Sequence, residues 1–152
     1  MFEKIVLYFL PFVNDMICSF TDKHIYYSYM TKIAILEDDP VISQMYRMKF
    51  EADGFDVQLA NDGVRGVAMV EEFKPDIILL DIQMPEMNGA EALSAIRKHD
   101  WGKGIPAIIL TNLGKEESPK ELESLGIAGY IVKAELTPRQ VVARVKDELN
   151  LQ

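Results

Sequence analysis

With 152 residues, 49% of them hydrophobic and 26% charged, the chain has the composition of one ordinary globular domain with its own core. A formal net charge of −8 argues against nucleic acid as a partner bound across a broad basic surface. Cys18 is the sole cysteine, and the two histidines, His24 and His99, are far apart in sequence. This excludes a disulfide framework, a thiolate zinc site and a histidine metal pair, and it fits a reducing, cytoplasmic setting.

Residues 1–29 differ from the rest. Residues 5–13 read IVLYFLPFV, with Lys4 before them and Pro11 inside. A bilayer span needs roughly 20 apolar residues, and a proline breaks or kinks a helix, so no stable membrane insertion is expected. A signal-peptide reading lacks a small-residue cleavage site. Residues 1–29 are therefore read as an apolar extension (a leader, a misassigned start or an extra helix), and residues 30–152 as the domain proper.

From Met30 onward, short apolar runs alternate with amphipathic segments. Residues 33–36 form an apolar run typical of a strand buried on both faces. Asp39 caps the following helix and Pro40 fits its first turn. Val41, Ile42, Met45 and Met48 recur at helical spacing before Asp53-Gly54. Residues 55–59 read as a second strand. Residues 62–73 read as a helix with Val67 and Val70 inward and Gly66 allowing close packing, stopped by Pro75-Asp76.

The most hydrophobic strand, residues 77–80, is expected at the centre of the sheet. After a loop at 83–87, Asn88 caps a helix ending near Lys98. Residues 105–110 are the fourth strand. Residues 116–125 read as a charged, exposed helix closed by Gly126, and residues 130–132 as the fifth strand. Thr137-Pro138 opens a last helix lined by Val141, Val142, Val145 and Leu149. Five such βα units imply an α/β fold with a parallel sheet and helices on both faces. Ligands of such sheets sit beyond the carboxyl ends of the strands.

The residues at those ends carry the chemistry. Glu37, Asp38 and Asp39 follow the first strand, Asp81 the third, Thr111 the fourth and Lys133 the fifth. Crowded carboxylates need a cation to offset their repulsion. A cluster offering oxygen alone selects a hard cation such as Mg²⁺, which shares its shell readily with phosphate. A nucleophilic carboxylate beside Mg²⁺, a lysine and a hydroxyl describes a phosphoryl-transfer site.

LEDDP at 36–40, LLDIQMPEMNG at 79–89, ILTN at 109–112 and YIVK at 130–133 resemble the receiver domain of two-component response regulators, from Met30 to about Leu151. The resemblance implies a flavodoxin-like doubly wound (βα)5 fold with a five-stranded parallel sheet in the order 2-1-3-4-5. It implies that Asp81 is the phosphoacceptor and that Glu37, Asp38, Asp81 and the backbone carbonyl of Gln83 hold Mg²⁺. Thr111 and Lys133 would contact the phosphoryl oxygens, and Thr111 and Tyr130 would form the switch, the ring changing rotamer on activation. Asp39 is read as a helix cap. Two positions depart from the family pattern. Ala134 stands where proline usually follows the lysine through a cis bond, which for a non-proline residue costs about 3 kcal/mol. Asn112 replaces a smaller residue.

The implied function is a single-domain regulator phosphorylated by a histidine kinase or phosphotransfer protein. It would catalyse only its own phosphorylation and dephosphorylation, so it is not expected to be an enzyme. Its output would be a protein contact, with homodimerisation through the last two helices and fifth strand as one form. Three rivals rank lower. An aspartyl phosphatase would need an acid where Gln83 stands. A nucleotide or flavin binder would need a glycine-rich loop after a strand, whereas Gly102-Lys103-Gly104 precedes one. A degenerate receiver would have lost acidic pocket residues, yet all are present.

Overall fold

The structure is a computed structural model, and it describes residues 16–21 and 24–151. The chain divides into two compact units, Met1–Met30 and Thr31–Gln152. In the first unit, β1 (Met16–Thr21) and β2 (His24–Tyr29) form an antiparallel pair, with Met16 opposite Tyr29 and Thr21 opposite His24. This corrects the extra-helix reading for these residues. Ile17, Phe20, Ile25, Tyr26, Tyr27 and Tyr29 are β-branched or aromatic, types that favour extended backbone. The apolar run at 5–13 lies outside the described residues.

The second unit is the α/β domain. Its strands are β3 (Lys32–Leu36), β4 (Asp56–Ala60), β5 (Ile77–Leu80), β6 (Ala107–Thr111) and β7 (Gly129–Val132). Its helices are α1 (Pro40–Ala52), α2 (Gly63–Phe73), α3 (Gly89–Arg97), α4 (Glu121–Ser124) and α5 (Pro138–Glu148). All strands pair in parallel in the order β4-β3-β5-β6-β7, which is 2-1-3-4-5 within the unit, as expected. The chain moves outward from β3 to β4, then crosses to β5 on the other side. The order therefore reverses between β3 and β5, and the crevice beyond their carboxyl ends is where a doubly wound sheet binds its ligand.

The two-residue period of each strand divides the core. Ile33, Ile35, Ile77, Leu79, Ile108 and Leu110 pack with Tyr46 and Phe50 of α1 and Val141, Val142 and Val145 of α5. Ala34, Leu36, Ile78, Leu80, Ala107 and Ile109 pack with Val70 of α2, Leu93 and Ile96 of α3 and Leu122 of α4. Gly66 permits the close approach of α2 as expected, because a Cβ there would lie 2.2 Å from Leu36 Cδ2.

The helix caps agree with the sequence reading. The Asp39 side chain accepts from the N–H groups of Val41 and Ile42, and Asn88 and Thr137 form capping boxes with Glu91 and Gln140. Three details correct it. Val41, Met45 and Met48 of α1 are 77%, 41% and 69% exposed; of the expected set Ile42 alone packs against the core, beside the buried Ser43, Tyr46 and Phe50. The fourth strand starts at Ala107 and not at Ile105, although the Pro106 carbonyl already accepts from the Ile78 N–H at 2.9 Å. The single helix expected at 116–125 is broken into a 3₁₀ turn at Lys115–Glu117 and the one-turn α4. Ser118 between them is extended, at φ −72° and ψ 146°, the conformation that the following Pro119 imposes.

Candidate functional site

The register of the central strands assembles the acidic cluster. Leu36 pairs with Leu80, and the Asp81 N–H donates to the Leu36 carbonyl at 2.9 Å. Glu37 and Asp81 therefore leave adjacent strands side by side. One oxygen each from Glu37, Asp38 and Asp81 lies within 4.8 Å of the others. Asp38 is exposed, whereas Glu37 and Asp81 are buried. Asp39, the cap, turns its carboxylate to α1, while its own N–H donates to Glu37 Oε1 at 3.3 Å.

Lys133 reaches this cluster from the end of β7. Its Nζ lies 2.5 Å from Glu37 Oε2 and 2.6 Å from Asp81 Oδ2, and the side chain is 7% exposed. The other oxygen of Asp81 accepts from the Gln83 N–H at 3.1 Å. Burial pushes the Glu37 carboxyl above the usual range, and the Asp81 charge adds to this, against the opposing pull of Lys133. Burial pulls the Lys133 ammonium down, but hydrogen bonds to Asp81 and Glu37 and their charges together hold it above its ordinary value. Tyr46 packs nearby on α1. Burial raises its phenol, Lys133 lowers it and Glu37 raises it again.

When ionised, three carboxylates face one ammonium, leaving two negative charges uncompensated. The donor set is all oxygen and suits a hard dication such as Mg²⁺. Lys133 engages one oxygen each of Glu37 and Asp81, and Asp38 is the exposed member of the cluster.

Thr111 is the last residue of β6 and fully buried, and its carbonyl accepts from the Lys133 N–H at 2.7 Å. Its hydroxyl accepts from the Leu113 N–H at 3.4 Å. Tyr130 on β7 donates its phenol to the Leu113 carbonyl at 2.9 Å, so the Leu113 peptide lies between the two residues expected to form the switch. Among the described residues there is no cis peptide bond, so Lys133-Ala134 is trans.

Two contacts had no clear signal in the sequence. A Cβ on Gly89 would lie 2.1 Å from the Asp81 carbonyl oxygen, so this glycine lets α3 start directly against the backbone of Asp81. Ser118 is hydrogen-bonded to the Tyr130 hydroxyl.

A profile of the response regulator receiver domain matches residues 33–146. The chain belongs to the response regulator receiver family. Over 117 residues this receiver is 32% identical to the DNA-binding dual master transcriptional regulator RpaA of Synechocystis, an overlap covering 77% of this chain and 48% of RpaA. The chain spans about half the length of the curated relatives it matches. The chemotaxis response regulator CheY4 of Vibrio cholerae has a similar structure, with TM-score 0.72, 28% identity and coverage of 78% of this chain and 98% of CheY4. The receiver domain of sensor histidine kinase PA1611 from Pseudomonas aeruginosa shares the fold, with TM-score 0.72 and 24% identity over 80% of this chain and 98% of that one. That domain carries a magnesium ion coordinated in its active-site cleft.

The relatives stand in partial conflict with one expectation. An acidic net charge argued against nucleic acid, yet RpaA is a DNA-binding regulator, and about half of it lies outside the overlap. Among the described residues no helix is long and apolar enough to cross a membrane.

Proposed function

We propose that this receiver takes a phosphoryl group onto Asp81 from a phosphohistidine of a histidine kinase or phosphotransfer protein, with Mg²⁺ required. The observation that carries this reading is the Asp81 carboxylate, held between the Lys133 ammonium and the Gln83 N–H beside two further carboxylates. In the transfer, one Asp81 oxygen bonds to phosphorus as the phosphorus–nitrogen bond of the donor breaks and the imidazole leaves. Glu37, Asp38, Asp81 and the Gln83 carbonyl would hold the metal, which supplies positive charge against the phosphoryl oxygens. Lys133 would supply a second positive charge, and the Thr111 hydroxyl a hydrogen bond.

The protein would thus act on itself and not as an enzyme on other substrates, in a cytoplasmic setting. Its output would be a protein contact through α4, β7 and α5, either with a downstream target or with a second copy. Intact-mass measurement after acetyl phosphate treatment tests the reading. One phosphoryl mass is expected with Mg²⁺, none with chelator and none in Asp81→Asn. A normal phosphoryl gain in Asp81→Asn would overturn the assignment.

A further inference from the structure

The loop that follows Asp81 is closed on itself. At its base the Gly89 N–H donates to the Ile82 carbonyl at 2.9 Å. Within it, Met84 is buried in the core and Met87 packs against the same cluster, whereas Gln83, Pro85 and Glu86 are exposed. The Met87 N–H donates to the Pro85 carbonyl at 2.7 Å, across the single residue Glu86, whose φ is 63°. This is a γ-turn with positive φ, the rarer and more strained of the two kinds. Glutamate seldom occupies that region of backbone conformation.

A strained turn persists only where its surroundings over-determine it. Here the surroundings are the first turn of α2. A Cβ on Gly63 would lie 2.3 Å from the Met87 carbonyl oxygen, 2.8 Å from the Met87 Cβ and 2.9 Å from its carbonyl carbon. The α2 backbone therefore rests directly on the Met87 peptide. The helix has little room to retreat. Asp62 caps it by accepting from the Arg65 N–H at 2.7 Å, Gly66 sits against Leu36, and Val70 and Phe73 are buried. Of the two parts that meet at Gly63, the exposed turn is the softer.

We propose that Gly63 is a positioning residue for the metal-binding loop. It seats α2 on the Met87 peptide, which fixes the strained turn at Glu86 and, through it, the Gln83 backbone. The consequence rests on the receiver reading above, which gives the Gln83 carbonyl to Mg²⁺, but the seat itself is present without metal. An alanine at 63 needs at least 0.7 Å more room, the difference between 2.3 Å and the 3.0 Å that real Cβ contacts keep. With the loop ends tied at Ile82 and Gly89, that displacement is taken up between them, where Gln83 lies. The Gln83 N–H also donates to Asp81 Oδ1 at 3.1 Å, so the acidic cluster feels the shift. Loss of a group that orients a metal ligand typically weakens metal binding about 10- to 100-fold.

The test uses the full chain and titrates Mg²⁺ alone, followed by amide NMR shifts. Gly63→Ala should weaken Mg²⁺ binding about 10-fold or more and, in the metal-free protein, move the amide signals of Gln83 and Met87. Val70→Ala loosens α2 in the core away from the loop. It should lower Tm but leave Mg²⁺ affinity and those two signals as in wild type. Glycine takes positive φ freely and lets the turn bend, so adding Glu86→Gly to Gly63→Ala should recover most of the lost affinity. If Gly63→Ala alone does not fold, the paired variant should fold and bind Mg²⁺. A paired variant no better than Gly63→Ala would overturn the seat. So would wild-type affinity and signals in Gly63→Ala, or an equal loss of affinity in Val70→Ala. A wild type that binds no Mg²⁺ would instead refute the receiver chemistry, while the metal-free signals of Gln83 and Met87 still decide on the seat.

Discussion

Replacing Lys133 with methionine keeps the aliphatic stem but removes the ammonium that bridges Glu37 and Asp81 at 2.5 and 2.6 Å. Both carboxylates are buried, with side chains 2% and 7% exposed. Stripping one partner from a buried ion pair typically costs about 3–5 kcal/mol. Partial relief comes from protonation, since burial already pushes the Glu37 carboxyl upward. The low end of the range, about 3 kcal/mol, is therefore expected at neutral pH without metal.

For the unit Thr31–Gln152, an unfolding entropy of about 2.1 cal/mol/K per residue converts this to a fall in Tm of about 12 °C. Mg²⁺ should then restore the variant, because a dication at 100 times its Kd contributes about 2.7 kcal/mol. The variant should gain more from the metal than the wild type, having lost the competing ammonium. The deficit should also shrink on acidification. A carboxyl with a raised folded pKa destabilises as pH climbs from its unfolded value through its folded value, and that penalty disappears below the window. Calorimetry in chelator and in MgCl2, at neutral and mildly acidic pH, reads all three effects. A metal-free Tm within about 2 °C of wild type would show that the buried triad is not coupled as its geometry implies.

Two further predictions concern the frame around the site. Gly89→Ala puts a Cβ against the Asp81 carbonyl at 2.1 Å, backbone that cannot yield cheaply. It should cost about 1–3 kcal/mol and slow labelling by acetyl phosphate, and a wild-type Tm with a wild-type labelling rate would contradict this. Asp53 joins α1 to α5 by accepting from Lys49 at 2.7 Å and Lys146 at 3.0 Å, and these hydrogen bonds hold its carboxyl below the usual range. That stabilisation is present above the unfolded carboxylate pKa of about 3.9 and is lost as pH falls through the folded value. Asp53→Asn should therefore melt below wild type at neutral pH and match it in strong acid. A gap of constant size across that pH range would refute the linkage.

Much of the domain was legible in the order of residues. Residues 33–36 and 77–80 are apolar throughout, as only strands covered on both faces can be, and Asp39-Pro40 and Thr137-Pro138 state the helix starts chemically. Because ligands of a parallel sheet gather at its carboxyl edge, Glu37, Asp38, Asp81, Thr111 and Lys133 could be grouped before any contact was known. The choice of α1 face could not be read this way. Val41, Ile42, Met45 and Met48 and the pair Tyr46 and Phe50 both recur at helical spacing, and only packing decides that Ile42, Tyr46 and Phe50 face the core while Val41, Met45 and Met48 do not.

The break at 118–119 was written locally in Pro119, but the charged pattern across it read as one helix. Tertiary structure alone placed the Lys133 ammonium between two carboxylates from different strands, set Gly89 against Asp81 and put Ser118 on Tyr130. Local pattern reports which residues share a face of one element, set by its period of 2 or 3.6. Contacts between elements depend on register and crossover, which are settled only when the whole sheet closes its core.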